Sequence, residues 1–402
     1  MTDLEPLVAG GVDTHKDVHV AAVVDALGGV LATKSFPASA SGYSALLIWM
    51  TSFGRIERVG VEGTGAYGAG LARHLELNDI AVREVNRPNR QARRSRGKND
   101  EIDAIAAARV AMSNEELAFP KKRSAQVECM RLLLVPYRSF GETRTRMLNQ
   151  LDALVVTAPE ELREMLRNLS KNALVARCNG FRPTNDLDVT QTAKHAMKAL
   201  AEQILSLQVQ RLTIERQLLT LVLENNPSLL GARGVGIETA AVLLVAAGDN
   251  PGRLHSESAF AALCGVAPID ASSGKIVSHR LSRGGDRRAN WALYVIALNR
   301  MAHDERTRRY VEAHPARSKK ANLRCLKRFI AREVYSLIID PQPVTDAAHF
   351  RVTRLQKRLT LVNAASALEV APARLSEIER QVRFDTELAS RYATWLNDQI
   401  AA

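Results

Sequence analysis

The chain has 402 residues, of which 46% are hydrophobic, so it can bury at least one full core, and a disordered or fibrous protein is excluded. The net charge of +12 favours a polyanionic partner over a neutral metabolite, and nucleic acid is the first candidate. The 4 cysteines form no CxxC pair, and no signal peptide or membrane span is recognisable, so we expect a cytoplasmic protein without a zinc site or a disulfide framework.

The first part of the chain alternates between strand and helix patterns. Two apolar, β-branched runs within residues 7–33, with a turn at Gly28 and Gly29, predict antiparallel strands that open a mixed sheet. Because helices and strands then alternate, we expect an α/β domain. The further predicted elements are a helix over 41–53, a strand over 55–65, a helix over 66–77 and a strand over 80–86.

The middle of the chain is predicted to be helical. An alanine-rich helix follows a basic loop over 87–98, and helical patterns dominate from about residue 124. One long segment repeats apolar residues at heptad spacing, which predicts a coiled-coil seam with Arg211 in one polar position. The alternative is an amphipathic helix packed on its own domain. The seam positions are Leu200, Ile204, Leu207, Ile214, Leu218 and Leu221, and Pro227 ends the pattern.

The tail after the segment PQPV is predicted to be a small helical unit. Thr360 can cap one helix and Pro372 can begin the next, which is helix-turn-helix geometry. The stretch is similar to the helix-turn-helix domains of repressors, with Arg374 on the recognition helix. The alternative is a helical dimerisation cap, because Glu377 and Glu379 would repel phosphate.

Four acidic residues stand in three predicted elements of the first domain. Asp13 lies in an apolar strand, where a carboxylate costs several kcal/mol to desolvate unless a partner compensates it. Glu62 ends a second apolar strand, and Asp100 and Asp103 share one face of a helix. Together they could hold two Mg²⁺ ions for phosphodiester chemistry. Each acid alone could instead be a turn or cap residue.

Three segments carry a resemblance to a known family. GVDTHKDVHV, VEGTGAYGAGLARHLELNDIAVREVNRPNR and RGKNDEIDAIAAARV resemble the N-terminal half of the DEDD transposases of bacterial insertion sequences, over most of residues 8–150. The resemblance implies a RuvC-like domain with an RNase H fold. It also implies that Asp13, Glu62, Asp100 and Asp103 are the D, E, D and D that bind metal, expected to be two Mg²⁺ ions.

A glycine-punctuated, basic region follows residue 228. Its Gly-Val-Gly loop could meet a phosphate through backbone amides or could allow a close helix crossing, and the residues leave both open. Ser272 and Ser273 lie on a loop that precedes several arginines. A loop serine is ordinarily inert, but guanidinium groups that bind phosphate could place one beside a reactive phosphorus.

The segment from about Leu229 to Ile338 resembles the C-terminal transposase domain of the same family. The resemblance implies that a serine of the SSG-containing loop attacks a DNA phosphate and forms a covalent phosphoserine link, assisted by metal on the acids. Ser273, next to the glycine, is the predicted nucleophile, and Ser272 stays open. The family also implies a structured noncoding guide RNA, the bridge RNA, that pairs with donor and target DNA, and a homo-oligomer that is a dimer or a tetramer.

Basic residues in several parts of the chain are predicted to contact nucleic-acid backbones. Any one of them could instead be a solvated surface residue. Further candidates are residues 121–123 and the arginines between 131 and 146. The predicted contact residues are Arg87, Arg90, Arg93, Arg94, Arg96, Lys98, Lys275, Arg280, Arg283, Arg287, Arg288 and Arg374.

These patterns divide the chain into four predicted domains and favour one function. The function that the resemblance implies is a metal-dependent DNA transposase, and the first alternative is a RuvC-like Holliday-junction nuclease, which needs no serine. An actin-like sugar kinase leaves the charge unexplained, and a binding protein with a decayed site is disfavoured by the four intact acids. The domains are 1–155, the RuvC-like DEDD catalytic domain; 156–226, a helical linker and coiled coil; 227–340, a mainly α transposase domain with the catalytic serine; and 345–402, a helix-turn-helix-like domain.

Overall fold

The computed structural model of the chain describes residues 5–85, 99–113, 119–122, 125–272, 279–281, 284–341, 346–379 and 385–399. Contacts within the chain separate two compact units, Met1–Lys122 and Arg123–Ala402. The predicted division into four domains is finer than this and stays a prediction. Within the described ranges, no helix has both the length and the apolar character needed to cross a membrane.

The first unit contains a five-stranded mixed sheet with helices on both faces. The strand order is β3-β2-β1-β4-β5, in which β1, β2 and β3 are antiparallel neighbours and β1, β4 and β5 are parallel. The predicted α/β fold class is therefore confirmed. The elements are β1 (Leu7–Thr14), β2 (Val18–Asp25), β3 (Val30–Pro37), α1 (Ala40–Thr51), β4 (Arg55–Glu62), α2 (Ala69–Leu77), β5 (Val82–Val85) and α3 (Asp100–Met112).

Alternation along β1 divides its side chains between the two faces of the sheet. Val8 and Val12 belong to the core that includes residues of α1 and α2, whereas Ala9 packs with Ala108 of α3. The predicted turn before β3 is present, with Gly28 at a φ of 80°. β3 lies at the edge of the sheet and is mostly exposed, so its apolar pattern is weak.

Helix α3 packs unusually close to the sheet because two glycines face it. Gly11 of β1 pairs with Gly60 of β4. A Cβ on Gly11 would lie 2.1 Å from the main-chain nitrogen of Ala108 and 2.2 Å from the main-chain oxygen of Ala104, and a Cβ on Gly60 would lie 2.5 Å from the main-chain oxygen of Ala107. The alanine-rich helix and the two glycines therefore form one close contact.

The second unit is mainly helical, as predicted, and includes one short hairpin. Its largest core is built from α9, α11 and α13 with parts of α4 and α7. The elements are α4 (Gln126–Thr157), α5 (Glu160–Leu166), α6 (Lys171–Asn179), α7 (Val189–Asn225), α8 (Ser228–Gly231), α9 (Ile237–Ala247), α10 (Glu257–Leu263), β6 (Pro268–Asp270), β7 (His279–Leu281), α11 (Arg287–His303), α12 (Glu305–Glu312), α13 (Lys319–Ile339), α14 (Asp346–Gln356), α15 (Leu361–Ala367), α16 (Pro372–Glu379) and α17 (Thr386–Asp398).

The predicted coiled-coil segment is the long helix α7, which packs against α4 of the same chain. Of the seam residues, Ile204 and Leu218 are buried. The guanidinium of Arg211 lies 4.1 Å from the ring centroid of Tyr137 and donates a 2.7 Å hydrogen bond to its hydroxyl. The seam is thus used within the chain, as in the alternative interpretation, and a coiled coil between protomers stays a prediction.

The C-terminal tail contains the two short helices expected from its sequence. Thr360 accepts a 3.0 Å hydrogen bond from the Asn363 main-chain nitrogen at the start of α15, and α16 begins at Pro372. Glu369, in the turn between the helices, has a φ of 56°. The elements are therefore confirmed, while a DNA-recognition role for α16 stays a prediction.

Candidate active site

The glycine contact determines which residues meet α3. Asp13 follows Gly11 by two residues and Glu62 follows Gly60 by two, so both acids lie on the sheet face that α3 covers. Asp100 begins α3 and shares the helix face of Ala104 at a spacing of four residues. The close approach of α3 therefore brings acids from β1, β4 and α3 to one side of the sheet.

Among the residues that the structure describes, Asp13, His15 and Asp100 form a cluster of possible metal ligands. One carboxylate oxygen of Asp13 lies 3.1 Å from His15 Nε2, which lies 3.3 Å from a carboxylate oxygen of Asp100. One ligand atom from each residue falls within 4.8 Å of the others. Asp13 is buried, whereas His15 and Asp100 are partly exposed, so the cluster is open on one side.

The surroundings of Asp13 disfavour the charged form of its carboxyl. Burial raises the pKa of its carboxyl most; the charge of His15 lowers this pKa, and the charges of Asp100 and Asp103 raise it. Carboxylate oxygens are the ligands that Mg²⁺ prefers, and an imidazole is also compatible with Mn²⁺. The donor set therefore fits a divalent cation.

The two other predicted acids are also buried in this unit. Glu62 ends β4, and its main-chain oxygen accepts a 2.7 Å hydrogen bond from the Thr14 hydroxyl, which ties β4 to the end of β1. Asp103 lies in the first turn of α3, and its charge acts on Asp13. Their roles as metal ligands stay predictions.

His15 is a residue that the sequence analysis did not single out. It follows Asp13 by two residues within GVDTHKDVHV, and this spacing next to a buried carboxylate was the available signal. A second histidine of the motif behaves differently. His19 is fully buried, stacks on Tyr43 with centroids 5.6 Å apart, and has a pKa lowered by burial, so it is a neutral core residue.

The predicted serine loop lies on the β6–β7 hairpin. In this hairpin Asp270 pairs with His279, so residues 271–278 connect the strands. Ser272 is exposed, and its main-chain nitrogen donates a 2.8 Å hydrogen bond to the Asp270 carboxylate. Hydrogen bonds from the side chain and main chain of Ser272 hold the pKa of Asp270 below its usual range. Ser273 and Lys275 lie outside the described residues.

The base of the hairpin packs closely against the end of α10 and the start of α11. Gly265 and Gly285 have φ values of 63° and 89°, and a Cβ on Gly265 would lie 2.5 Å from the Gly284 main-chain oxygen. The Asn290 side chain donates to the main-chain oxygens of Cys264 and Gly265 at 2.9 and 3.0 Å. The glycines of the basic segment thus allow a close crossing that positions α11.

The Gly-Val-Gly loop also serves close packing. Gly234 has a φ of 76°, and a Cβ there would lie 3.2 Å from the Asn299 side-chain oxygen and 3.4 Å from the Ile296 main-chain oxygen. The nitrogen of Gly236 donates to the Thr239 hydroxyl at 2.9 Å, so this amide already has an acceptor. The close-crossing interpretation is the one that these contacts support.

The predicted nucleic-acid residues fall into three groups. Arg280, Arg287 and Arg288 are exposed near the hairpin. Arg374 is half-buried and forms ion pairs with Glu377 at 3.3 Å and Asp385 at 2.9 Å, which favours the structural interpretation of α16. The residues outside the described ranges are Arg87, Arg90, Arg93, Arg94, Arg96, Lys98, Lys275 and Arg283.

The mixed sheet with acids at the ends of β1 and β4 and on α3 defines an RNase H-like domain of the RuvC type. Comparison with known families agrees with this class. The sequence model of the DEDD transposases of the IS110 type matches residues 10–158, and that of the "Transposase IS116/IS110/IS902 family" matches residues 227–312. The chain belongs to the IS110 family of DEDD transposases.

One curated relative supports the assignment. The chain is 33% identical over 133 residues to the "Insertion element IS110 uncharacterized 43.6 kDa protein" of Streptomyces coelicolor. The match covers 32% of this chain and 33% of that protein, so it spans about a third of the relative's length.

Proposed function

We propose that this protein is an insertion-sequence transposase that cleaves and exchanges DNA strands with divalent metal and a serine nucleophile. The carrying observation is the cluster of Asp13, His15 and Asp100, whose ligand atoms lie within 4.8 Å on an RNase H-like sheet of an IS110-family chain. Asp13 is the core of the cluster because it is buried and its pKa is raised mainly by that burial.

The acids are proposed to hold Mg²⁺, with two ions expected from the family. Asp13, Glu62, Asp100 and Asp103 are the proposed ligands, and His15 is an additional candidate from its distances to Asp13 and Asp100. Bound metal would neutralise charge on a phosphate oxygen and favour formation of the attacking oxyanion. The protein's own part is to hold the carboxylates on rigid elements, which the close packing of α3 achieves.

The serine of the hairpin loop is proposed to form the covalent link. The serine oxygen bonds to phosphorus as the bond from phosphorus to one deoxyribose oxygen breaks; the serine proton passes to a base, and the leaving oxygen takes up a proton. One phosphodiester replaces another, so the reverse reaction can join a new strand without ATP. Ser273 is the proposed nucleophile, with Ser272 as the alternative.

The RNA and oligomer assignments come from family resemblance and stay proposals. A structured guide RNA would choose donor and target by base pairing, and the net charge of +12 suits binding to both nucleic acids. A dimer or tetramer would carry out the exchange. If RNA copurifies with the protein and strand exchange is lost after ribonuclease treatment, the guide role is supported; full activity after that treatment would refute it.

Strand exchange on a plasmid tests the function. The substrate is a supercoiled plasmid that carries the gene with its flanking DNA. The readouts are new DNA junctions and protein-linked DNA, which is retarded in a gel before protease digestion and not after it. Asp13→Asn should abolish both, whereas Asp17→Asn, an exposed acid four residues later, should not. Chelation of metal should have the effect of Asp13→Asn.

The serine variants decide between the transposase and the nuclease. Ser273→Ala should abolish the protein-linked DNA and the new junctions, and Ser366→Ala, on the exposed side of α15, should not. If only Ser272→Ala has this effect, the nucleophile is Ser272. If cleavage persists when both loop serines are alanine while Asp13→Asn abolishes it, the protein is a metal-dependent junction nuclease.

A further inference from the structure

A mainly apolar cavity of about 400 Å³ lies at the base of the β6–β7 hairpin, where the hairpin faces α13. Val266 and Pro268 contribute the wall on the hairpin side, and Ala321 and Phe329 contribute the wall on α13. This volume is within the range of sites that bind small organic ligands. Pro268 is four residues from Ser272, so the chain between the cavity wall and the serine loop spans at most about 13 Å.

Phe329 is an exposed aromatic side chain held in a fixed position. It is 48% exposed, and the ring of Tyr310 meets it edge-on with centroids 5.5 Å apart and an angle of 88°. An aromatic ring that is ordered before binding is a suitable platform for stacking a nucleobase.

The rim of the cavity is positively charged. Arg280, Arg324, Lys327 and Arg328 line it, and none of the described lining residues is acidic. The ammonium of Lys327 donates a 2.9 Å hydrogen bond to Asn290, a neutral partner. Burial and the charge of Arg324 lower the pKa of Lys327, so the charged ammonium is disfavoured and a bound anion would stabilise it.

Arg328 adds a donor that lacks an acceptor. One terminal nitrogen of its guanidinium pairs with Glu257, while the other, Nη1, is buried and has no hydrogen-bond partner within the described part of the chain. Because this nitrogen is closed to solvent, the Arg328 side chain must shift before an oxygen of a bound phosphate can reach it.

We propose that this cavity binds one unstacked nucleotide of a DNA strand, with its base against Phe329 and its phosphate at the basic rim. The proposal rests on the proposed function, because a nucleotide held here would lie a few positions from the phosphate that the hairpin serine attacks. Taking a base out of its stack costs free energy, and stacking of that base on an aromatic side chain of the pocket offsets part of this cost.

Strand binding without cleavage tests the base contact. A dye-labelled oligodeoxythymidylate of twelve nucleotides is compared with an abasic strand of the same length, in chelator, by fluorescence anisotropy. The base-containing strand should bind at least about fivefold more tightly to the unaltered protein. Phe329→Ala should remove this preference and leave the abasic strand unchanged. Ile339→Ala, on the same helix and 41% exposed, is the matched control and should keep it.

The charged rim has a separate readout. Arg324→Gln should weaken binding of both strands and reduce the slope of log affinity against log salt by about 0.7, because one phosphate contact with a single strand is lost. An unchanged slope would contradict the placement of the phosphate at this rim.

Two cysteines of the chain report occupancy directly. Cys325 lines the cavity, and Cys129 is exposed on α4, while Cys178 and Cys264 are buried. Saturating oligodeoxythymidylate should slow iodoacetamide alkylation of Cys325 severalfold and leave that of Cys129 unchanged. Duplex DNA should not protect. If oligouridylate protects better than the DNA strand, the occupant is RNA and the DNA assignment is wrong.

Equal binding of the base-containing and abasic strands, with no protection of Cys325, would overturn the cavity proposal. That result would leave the proposed function untouched, because these measurements use no metal and no cleavage. Failure of the proposed function would instead appear as the absence of new junctions and of protein-linked DNA when the unaltered protein acts on the plasmid.

Discussion

The contact between β1 and α3 predicts a strong effect of a single methyl group. In Gly11→Ala the new Cβ would lie 2.1 Å from the nitrogen of Ala108 and 2.2 Å from the oxygen of Ala104. Both are backbone atoms, so no rotamer change can relieve the overlap, and α3 must recede by more than 1 Å to reach an ordinary contact of about 3.4 Å. Overpacking of this kind costs about 1–3 kcal/mol.

The functional consequence should exceed the loss of stability. Asp100 and Asp103 move with α3 while Asp13 stays on β1, and metal ligands tolerate only about 0.2 Å of displacement. We expect Gly11→Ala to weaken Mn²⁺ binding at least about tenfold and to reduce strand cleavage about 100-fold, the loss associated with a 1 Å misplacement. Mn²⁺ binding is measured by titration calorimetry, and stability by urea unfolding.

The neighbouring glycine provides the control. A Cβ on Gly10 points to the opposite sheet face and would lie 2.7 Å from the sulfur of Met50, the flexible end of a side chain. Gly10→Ala should therefore lower stability without weakening Mn²⁺ binding. If Gly11→Ala binds Mn²⁺ as tightly as Gly10→Ala does, the close contact of α3 does not position the acids and the reasoning is wrong.

Three further predictions concern buried or paired acids. In chelator, Asp13→Asn should raise the free energy of unfolding of the first unit, because it removes a buried carboxyl whose pKa is raised mainly by that burial. The variant should also lose the stabilisation by Mg²⁺, which is about 2.7 kcal/mol at a concentration 100 times Kd. Equal destabilisation in chelator and in Mg²⁺ would contradict this prediction. Glu379→Gln should cost about 3–5 kcal/mol in urea unfolding, since it leaves buried Arg354 unpaired; a cost below 1 kcal/mol would contradict it. Hydrogen bonds from Arg328 lower the pKa of Glu257 to about 2, so the stabilisation that this ion pair gives the fold is full above about pH 4.5 and is lost as the pH falls towards 2. Glu257→Gln should therefore remove that part of the acid-induced decrease in Tm. A profile of Tm against pH identical to that of the unaltered protein would contradict this prediction.

The sequence predicted most of the first unit because its periodicity is strong. The strands are apolar runs bounded by turn residues, and the acids stand at their ends. The close approach of α3 had a signal as well: Gly11 and Gly60 interrupt strands, where a glycine often marks close backbone contact. Their pairing across β1 and β4 could not be predicted, because register depends on which strands become neighbours.

The β6–β7 hairpin and the cavity beside it could not be predicted from the sequence, for different reasons. β6 and β7 have three residues each, too few for an alternation pattern to be recognised. Phe329 and Cys325 belong to an amphipathic helix whose positions give no sign of which element will lie opposite. Arg280 was predicted as a phosphate contact from its charge, but its place on the cavity rim follows only from the packing of β7 near α13.

Two buried acids of this chain, Glu379 and Asp13, differ in how their negative charge is compensated. Glu379, 9% exposed, receives two hydrogen bonds from Arg354 at 2.6 and 2.9 Å and a third from the Tyr392 hydroxyl at 2.7 Å, so its charge is compensated within the fold. Asp13, 5% exposed, lies 3.1 Å from the imidazole of His15, and burial together with the negative charges of Asp100 and Asp103 raises the pKa of its carboxyl. Because burying a carboxylate beside like charges is unfavourable, a proton or a bound cation stabilises Asp13, whereas the charge of Glu379 is already paired. This difference, rather than acidity or burial alone, is what distinguishes the site on β1 from an ordinary buried ion pair.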